Sequence, residues 1–445
     1  MNFEIDRQTI ADLNIYSASS NIKSIAGLFD QTFCASGANK VYELLGAPLS
    51  DYELLKERSE SIRFFFEYSL FDIQIDKDAL SFVEYYQKQR RNTIRPTWAT
   101  AFSKRVFDKL NGDAQYHLMA KGVRSTIQIL KWVKSFLLPL TDGCNRAGVP
   151  AMLLAQSEKV KEIFEKNNYN KLLTQRKIGK YLTVGDLDYR FRLLERRDIL
   201  FLLDLIYQYD AFSTIAKVAK EKGFAFADLY KEDEGRIEMK GLFHPLLENA
   251  VANDISFDKN SNILFLTGPN MAGKSTLLKA VSIAVFLAHC GFPVPARSMN
   301  ISVLSGLCTT INIADDLSSG YSHFYAEVMR IKEVALKLKE RKNMLVIFDE
   351  LFRGTNVKDA YDGTEAVIKA FSNVGGAFFV VSTHIVEVAD ELKKLKNIKF
   401  NYLGIEQKDG HPIYSYRVKD GLSKDRLGLY IIQQEGIIDL INEIK

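Results

Sequence analysis

The stretch LTGPNMAGKSTLLKAV, residues 266–281, combines two glycines, a lysine and two hydroxyl side chains in one short loop. It fits the pattern G-x-x-x-x-G-K-[ST], with Gly268, Gly273, Lys274 and Ser275 in register. Glycines let successive backbone N–H groups point inward around phosphate oxygens. The lysine reaches the β- and γ-phosphates, and the serine hydroxyl ligates magnesium. The loop therefore predicts a binding site for ATP and Mg²⁺.

The elements that must position this loop are a strand before it and a helix after it. NILFLT has the composition of a buried strand, and the following segment places apolar residues on one helical face: Leu277, Leu278, Val281, Ala284, Val285 and Ala288. A bare match to so short a pattern also occurs in strand–helix turns without a ligand. The strand–loop–helix context favours the nucleotide site.

Two acids form the second candidate half of the site. Asp349 and Glu350 end the apolar run MLVIFDE. An aspartate at this point would hold magnesium, and the glutamate would act as general base on the attacking water. The alternative is a pair of solvated carboxylates at a strand end. Their occurrence with the phosphate loop in one chain favours the catalytic interpretation.

A histidine, His384, ends the apolar run GAFFVVSTH. The C-terminal ends of strands carry the ligand site in open α/β sheets. His384 could therefore sense the γ-phosphate or orient water, or it could simply cap a local turn. His244, His289 and His411 are predicted to be structural.

The organisation of the chain predicts a multi-domain protein. Residues 1–235 carry long helical patterns and form a mainly α-helical domain, whereas 236–445 alternate short apolar strands with helices. Such alternation implies a mainly parallel sheet covered on both faces. The predicted fold is a helical domain followed by an α/β P-loop ATPase domain, with the boundary in KEDEGRIEMK.

The bulk composition excludes several protein classes. The 445 residues are 47% hydrophobic and 26% charged, with a formal net charge of +4. The four cysteines show no CxxC spacing, which argues against a zinc site or a disulfide scaffold. The N-terminus has no signal pattern, and the most apolar window, about 15 residues, is too short to span a bilayer. A cytoplasmic protein without membrane segments is expected.

Taken together, the motifs resemble the MutS family of DNA mismatch-repair ATPases, relatives of ABC-type ATPases. The resemblance rests on TGPNMAGKST with its PNM insert, ADDLSSGYSHFYAEV, FDELFRGTNVKDAYDGTEAV, STH and the upstream FHPLL. At lower specificity it extends to residues 5–17 and 28–65, which are similar to the start of the family's core and lever domain.

The resemblance implies roles for individual residues. Ser275 and Asp349 would hold magnesium, Glu350 would be the hydrolytic base, and His384 would sense the γ-phosphate. Ser322 would face the nucleotide of the opposite subunit, so the active form would be a homodimer with composite sites; a plain helix N-cap is the alternative role. A helix is predicted to begin just after Ser322, because apolar residues recur at helical spacing: Phe324, Val328, Ile331, Ala335 and Leu338. The residues placed on the nucleotide are Gly268, Pro269, Asn270, Met271, Ala272, Gly273, Lys274, Ser275 and Thr276.

The sequence also departs from the family pattern. His323 replaces the usual threonine, and Leu351–Phe352 stand where the family has a small or apolar residue followed by glycine. The resemblance leads us to expect that the mismatch-binding and connector domains of full-length members are missing and that the DNA clamp is reduced or absent. The resemblance therefore predicts a short member without a mismatch reader.

DNA contact would then depend on basic side chains and phosphates. The first candidate cluster is QKQRRNTIRP, with Lys88, Arg90, Arg91 and Arg95, and it is flanked by Tyr85, Tyr86 and Trp98. The other candidate clusters are QRKIGKYL (175–182) and RFRLLERR (190–197). Charge clusters on helices are also often solvated faces with local ion pairs. The sequence leaves both roles open, contact with DNA phosphates and a solvated helix face.

The sequence is compatible with two functions. The first is a dimeric DNA-binding ATPase linked to repair or recombination, which grips duplex or branched DNA without mismatch specificity. The second is a nucleotide-dependent switch or scaffold whose helical arms bind a protein partner and no DNA. A transport ATPase of the ABC type is disfavoured, because DDLSSGYSHF stands where LSGGQ would be expected.

Overall fold

Seven strands form the larger sheet, in the order β1-β7-β8-β9-β5-β10-β11. Neighbouring strands are parallel except for β10 and β11, which pair antiparallel. This agrees with the mainly parallel α/β sheet predicted from the sequence. The strands are β1 (Glu4–Ile5), β5 (Ile263–Thr267), β7 (Gly306–Thr310), β8 (Met344–Asp349), β9 (Phe378–Ser382), β10 (Ile398–Lys408) and β11 (His411–Asp420).

Four further strands form a smaller sheet in the order β2-β6-β3-β4. Here β2 pairs parallel with β6, and β3 pairs antiparallel with both β6 and β4. The bounds are β2 (Asp228–Tyr230), β3 (Ile237–Leu242), β4 (Asn253–Phe257) and β6 (Ser298–Ser302).

Helices account for most of the remaining described chain. Two of them continue as π-helical segments, Val133–Leu137 and Arg190–Leu194. The α-helices are Arg7–Asp12, Ile25–Leu28, Ala35–Leu45, Tyr52–Glu67, Lys77–Lys88, Ala114–Trp132, Ala151–Lys166, Tyr169–Leu173, Tyr181–Tyr189, Arg196–Lys222, Lys274–His289, His323–Glu340, Val357–Phe371, Val388–Leu392 and Ile437–Asn442.

The computed structural model divides the chain into two units. The sheet unit comprises Met1–Phe29, Glu43–Ser59 and Val218–Lys445, and the helical unit comprises Asp30–Tyr42 and Glu60–Lys217. The sequence predicted a linear division at 235/236, whereas the N-terminal residues lie in the sheet unit because β1 pairs with β7. The structure describes residues 3–17, 23–71, 73, 75–89, 114–139, 148–174, 181–311, 323–352, 354–408, 411–423, 436–442 and 444.

The core of the sheet unit explains why its central strands are continuous apolar runs. Every residue of β5, β8 and β9 is buried. Strands covered on both faces need apolar side chains at consecutive positions. One face packs against helices His323–Glu340 and Val357–Phe371, through residues that include Val334, Leu338, Ile368 and Phe371.

Buried polar networks hold the helical unit together. The Tyr86 hydroxyl donates to Asp188 Oδ1 at 2.6 Å, and the same carboxylate accepts two hydrogen bonds from Arg192. The Tyr169 hydroxyl donates to Glu195 Oε2 at 2.9 Å. Because these groups are paired, their burial does not leave an unsatisfied charge.

One helix in the described part of the chain is long and apolar enough to cross a bilayer by length and composition. Helix Arg196–Lys222 reaches a mean hydropathy of 1.3 over 18 residues, and 72% of that stretch is buried. The core helix of a soluble protein passes the same test, so this single helix is weak support for a membrane span.

His289, predicted to be structural, is fully buried near the end of helix Lys274–His289. Its Nδ1 lies 2.8 Å from the Val285 carbonyl, and its Nε2 accepts from Leu304 N–H at 2.8 Å. The imidazole is therefore neutral, with Nδ1 as the donor. Burial lowers the pKa of His289 from 6.5 to about 4, although the bond to Val285 opposes the shift.

This pKa predicts loss of stability in mild acid. Between pH 6.5 and about 4 the unfolded chain protonates His289 while the folded chain does not. The free energy of unfolding should therefore fall with pH, by about 3 kcal/mol from this group. Denaturant unfolding from pH 5 to 8 checks this: His289→Asn should show a shallower pH dependence than the wild type. His117→Asn, at an exposed site, is the control and should keep the wild-type slope.

Candidate active site

The three sequence motifs meet because β9 lies between β8 and β5 in the sheet. The phosphate loop, residues 268–276, follows β5. Asp349 ends β8, and His384 follows β9 by two residues. The strands are parallel, so their C-terminal ends lie at one edge of the sheet. This is the edge where open α/β sheets bind ligands.

The backbone of the phosphate loop adopts conformations that suit its glycines. Gly268 has φ +144° and Gly273 has φ +95°, and the helix begins at the next residue, Lys274. Met271 also has a positive φ, +67°, and its side chain is 78% exposed. The first turn of the helix thus directs unpaired N–H groups and the positive end of its dipole toward the loop.

Gly268 is fixed by space as well as by its backbone angle. A Cβ there would lie 2.7 Å from the Leu403 carbonyl oxygen of β10. We expect Gly268→Ala to destabilise the fold by about 2 kcal/mol or more and to weaken ATP binding, because both the strain and the clash must be relieved. Thermal unfolding and nucleotide titration measure the two effects. Gly375→Ala, with no heavy atom within 4 Å of the new Cβ, should leave both unchanged.

Lys274 is buried, and its ammonium group contacts acceptors in the loop and on His384. Nζ donates to the carbonyl oxygens of Gly268 at 2.9 Å and Pro269 at 3.2 Å, and it lies 3.4 Å from His384 Nδ1. An ammonium group has no acceptor, so Nδ1 of His384 must accept. The proton of the neutral imidazole then lies on Nε2. That nitrogen contacts Glu350 Oε1, to which it donates.

His384 thus connects the loop lysine to the carboxylate predicted to be the base. Glu350 has φ +56°, and its N–H donates to the Ser382 carbonyl at 2.9 Å. A left-handed backbone at a non-glycine residue is uncommon and is concentrated at functional sites. The turn directs the carboxylate toward the end of β9.

Asp349 and Ser275 form the predicted magnesium pair. The Ser275 hydroxyl donates to Asp349 Oδ2 at 2.5 Å. Asp349 is 7% exposed, and its Oδ1 is buried without a hydrogen-bond partner among the described residues. A buried, unsatisfied carboxylate oxygen beside a hydroxyl fits a hard divalent cation with oxygen ligands. Among the described residues, no cluster of three or more His, Cys, Asp or Glu side chains could hold a metal.

A cleft of about 790 Å³ opens beside the loop. Sequence reasoning identified the loop residues on its wall but not the opposite wall, which includes His244, Leu247, Val251 and Tyr416. The only sequence signal for this wall was the FHPLL segment. Burial, with a smaller contribution from Lys279, lowers the pKa of His244 from 6.5 to about 4, so this histidine is neutral at pH 7.

Asn253 holds one side of the cleft in place. Its Nδ2 donates to the Tyr416 carbonyl at 2.9 Å, and its Oδ1 accepts from Val418 N–H at 2.8 Å. Tyr416 has φ +54°, and its ring lies 3.1 Å from the position of a Cβ on Gly273. The amide of Asn253 therefore fixes the irregular backbone that brings the Tyr416 ring to the loop. Nothing in the local sequence around Tyr416 indicates this contact.

Phe352, which stands where the family pattern has glycine, keeps a backbone conformation typical of glycine. Phe352 has φ +63°, a conformation that glycine adopts freely, and it is 5% exposed. Its ring centroid lies 5.5 Å from that of Phe324. Gly363 leaves room for the ring, since a Cβ there would lie 2.9 Å from it. Packing of the ring therefore offsets the backbone strain.

The helix predicted to begin just after Ser322 is present as His323–Glu340. Its buried face differs in part from the predicted one. Val334 and Leu338 are buried, whereas Val328 and Ala335 are exposed. Ser322 itself lies outside the described residues, so its predicted role in the opposite subunit stays a prediction.

The predicted DNA contacts are described only in part. Lys88 is exposed at the end of helix Lys77–Lys88 in the helical unit. Arg90, Arg91 and Arg95 lie outside the described residues.

Tyr86, which flanks that cluster, and two arginines of the cluster RFRLLERR have structural roles. Tyr86 is fully buried on Asp188, so its ring cannot stack on a base. In the segment RFRLLERR, Arg190 and Arg192 form ion pairs with Glu195 and Asp188. Those pairs agree with the ordinary, structural interpretation of this charge cluster.

Known proteins match the region of the chain that carries this site. The family domain described as MutS domain V matches residues 264–443. The DNA mismatch repair protein MutS of Oceanobacillus iheyensis is 30% identical over 252 residues, 55% of this chain and 28% of that protein. The same protein of Persephonella marina is 30% identical over 267 residues, 57% of this chain and 30% of its own length. MutS of Streptococcus thermophilus is 33% identical over 217 residues, 47% and 25% respectively.

The chain thus spans less than a third of the length of these curated relatives. The matched region contains the phosphate loop, the acids after β8 and His384, the groups that the structure brings to one edge of the sheet. Motifs, geometry and relatives agree that residues 264–443 of this chain belong to the MutS family, as its domain V.

Proposed function

We propose that this protein is an ATPase that binds ATP with Mg²⁺ in the cleft beside the phosphate loop and hydrolyses it to ADP and phosphate. The single observation that carries the proposal is the contact of His384 with both Lys274 and Glu350, beside the Ser275–Asp349 pair. It brings a phosphate-binding cation, a candidate base and a candidate metal ligand to one strand edge.

The chemistry follows from these groups. Loop N–H groups and Lys274 bind the β- and γ-phosphates and stabilise the charge that develops on them. Glu350 accepts a proton from the water that attacks the γ-phosphorus, and the bond to the ADP oxygen breaks. His384 orients the Glu350 carboxylate through Nε2 and accepts from Lys274 at Nδ1, so it links the candidate base to the lysine that binds the phosphates. Asn270, Met271 and Thr276 complete the loop around the triphosphate.

Magnesium would be held by Ser275 and Asp349, with the phosphates and water completing its oxygen shell. When bound, it neutralises phosphate charge and so makes the γ-phosphorus easier to attack. The unsatisfied Oδ1 of Asp349 supports this assignment.

We further propose a homodimer in which Ser322 of one subunit completes the site of the other. The start of helix His323–Glu340 immediately after Ser322 supports this, because a helix N-terminus favours an anionic partner. Ser322 as a plain helix N-cap is the competing interpretation.

Mixed dimers distinguish these two interpretations. One subunit carries Lys274→Ala and cannot hold ATP, while the other carries Ser322→Arg and cannot complete its neighbour. Each variant alone should turn over ATP poorly. The purified mixed dimer has one site with an intact loop and an intact Ser322, so it should regain turnover. A mixed dimer no more active than either parent would contradict the composite site.

For the wider function, we propose that nucleotide binding controls a grip on duplex or branched DNA, in repair or recombination, without mismatch specificity. Exposed Lys88 and the relatives' printed name, DNA mismatch repair protein, support it. Binding to homoduplex, mismatched and branched DNA should be measured with and without ATP at several salt concentrations. Contacts to phosphates predict affinity that falls steeply with salt. Lys88→Ala should reduce the slope of log affinity against log salt concentration by about 1, which corresponds to the loss of one phosphate contact.

The competing function is a nucleotide-dependent switch or scaffold whose helical arms bind a protein. Absence of DNA binding at low salt, with ATP turnover intact, would favour it. Under either function we propose a cytoplasmic protein, with the helical part within 1–235 acting as lever and 236–445 as ATPase.

A further inference from the structure

The turn that follows β8 contains two residues with an unusual backbone. Glu350 has φ +56° and Phe352 has φ +63°, both in the left-handed region. A bulky residue adopts that region only where the surrounding contacts hold it there. The candidate base of the active site therefore lies in a turn whose conformation must be stabilised by contacts outside the turn.

Strand β9 holds the N-terminal side of this turn. Glu350 N–H donates to the Ser382 carbonyl at 2.9 Å, and the Glu350 carboxylate contacts Nε2 of His384. Both contacts are made by residue 350 itself, so they act on one end of the turn. A left-handed backbone at residue 352 requires a second anchor at the other end.

The ring of Phe352 is that second anchor. Phe352 is 5% exposed and belongs to the apolar core that includes residues of helix Val357–Phe371. A Cβ on Gly363 of that helix would lie 2.9 Å from the ring, so glycine is the residue that leaves room for it. Burial of a phenylalanine ring contributes a free energy similar in size to the strain of one left-handed residue. The buried ring therefore keeps the turn in its strained conformation.

The same ring connects the turn to a second helix. Phe324 lies in the first turn of helix His323–Glu340 and packs against the same core. Its ring centroid lies 5.5 Å from that of Phe352, and the two rings are tilted by 51°. Aromatic pairs at this separation attract each other beyond the effect of burial, and close-packed interiors transmit displacements. A shift of the first turn of this helix therefore reaches the turn that carries Glu350.

We propose that Phe352 is a positioning residue for ATP hydrolysis. Its ring, packed on Phe324 and accommodated by Gly363, keeps the Glu350 carboxylate directed at His384. The orientation of the base is thus linked to the start of the helix that carries Phe324. Glycine, the residue of the family pattern at this position, would allow the backbone conformation without this link. The inference rests on the role of Glu350 as base in the proposed ATPase.

Three substitutions disturb the ring contact in different ways. Phe352→Ala removes the ring, Phe324→Ala removes its partner and leaves the turn unchanged, and Gly363→Ala forces the ring aside. Each should lower kcat about tenfold, because the base is no longer held in place, while ATP affinity stays within about twofold of the wild type. Phe352→Leu keeps a buried apolar side chain, so its kcat should stay within about threefold of the wild type.

A double substitution and a spectroscopic signal test the link itself. If the two rings act as one contact, Phe324→Ala combined with Phe352→Ala should lower kcat no further than either change alone. The Nε2 resonance of His384 is followed in protein with ¹⁵N-labelled histidine and assigned with His384→Asn. It should shift in Phe352→Ala and in Phe324→Ala, because this nitrogen donates to Glu350.

The matched control is Phe257→Ala. Phe257 is a 3% exposed ring of the same unit, and its centroid lies 6.1 Å from that of Phe378. Phe378 begins β9, so this ring pair lies at the opposite end of that strand from His384. Phe257→Ala should leave kcat per folded molecule and the His384 resonance unchanged. Thermal unfolding gives the folded fraction of every variant.

The outcomes separate this inference from the proposed function on which it rests. Wild-type kcat with an unshifted His384 resonance in folded Phe352→Ala would overturn the positioning role, and so would an equal loss of kcat in Phe257→Ala. In either case slow hydrolysis by Glu350→Gln would leave the base in place. Fast hydrolysis by Glu350→Gln would instead overturn the proposed base.

Discussion

Lys274→Ala is expected to abolish ATP turnover and to weaken ATP binding by about 100-fold or more, because it removes a buried cation from the phosphates. Lys274 is 5% exposed, and its Nζ donates to the carbonyl oxygens of Gly268 and Pro269 in the loop that would bind the triphosphate. Titration with a fluorescent ATP analogue and a phosphate-release assay measure the two effects.

The matched control is Lys393→Ala. Lys393 is half-exposed and forms a surface ion pair with Asp390. Surface pairs contribute little, so this variant should bind and hydrolyse ATP as the wild type does. Normal turnover in Lys274→Ala would contradict the assignment of the loop as the phosphate site.

The second large effect is expected at Glu350. Glu350→Gln keeps the size of the side chain but removes the proton acceptor, so turnover should fall by about 10²- to 10⁴-fold while ATP still binds. Single-turnover hydrolysis and an ATP-binding titration separate the two steps. With hydrolysis slowed, the proposed ATP-bound dimer should accumulate and be visible by mass measurement in solution.

Glu387→Gln tests whether the loss is specific. Glu387 is exposed and lies three residues beyond His384, so the same change of charge occurs near the site without removing the base. It should hydrolyse ATP normally. Fast hydrolysis in Glu350→Gln would assign the base to another group.

The comparison of sequence with structure is clearest at His384. Its position after a buried strand predicted a place at the ligand edge, but its partners depend on the strand order. Because β9 is inserted between β5 and β8, His384 reaches both Lys274 and Glu350. Strand order is set by pairing between segments distant in sequence, which a local pattern does not contain.

The sequence also did not predict the positions of Tyr86 and Tyr416 in the fold. Tyr86, beside a basic cluster, suggested a surface for nucleic acid, yet it is buried on Asp188. Tyr416, for which the sequence predicted no place in the site, lines the cleft because Asn253, distant in the sequence, fixes its backbone. Burial and long-range hydrogen bonds decided both roles.

The sequence by itself determined the local chemistry: the phosphate loop between strand and helix, the acids after β8, and the start of a helix at His323. Each depends on residue types within one or two turns of chain, where periodicity and backbone preference act directly. Only the tertiary structure decided which of these groups meet and that residues 4–12 join the sheet at β7. The contacts of residues 4–12 with β7 connect positions about 300 apart, and that of Lys274 with His384 connects positions 110 apart. Their free energy comes from burial and pairing across the fold rather than from any local preference.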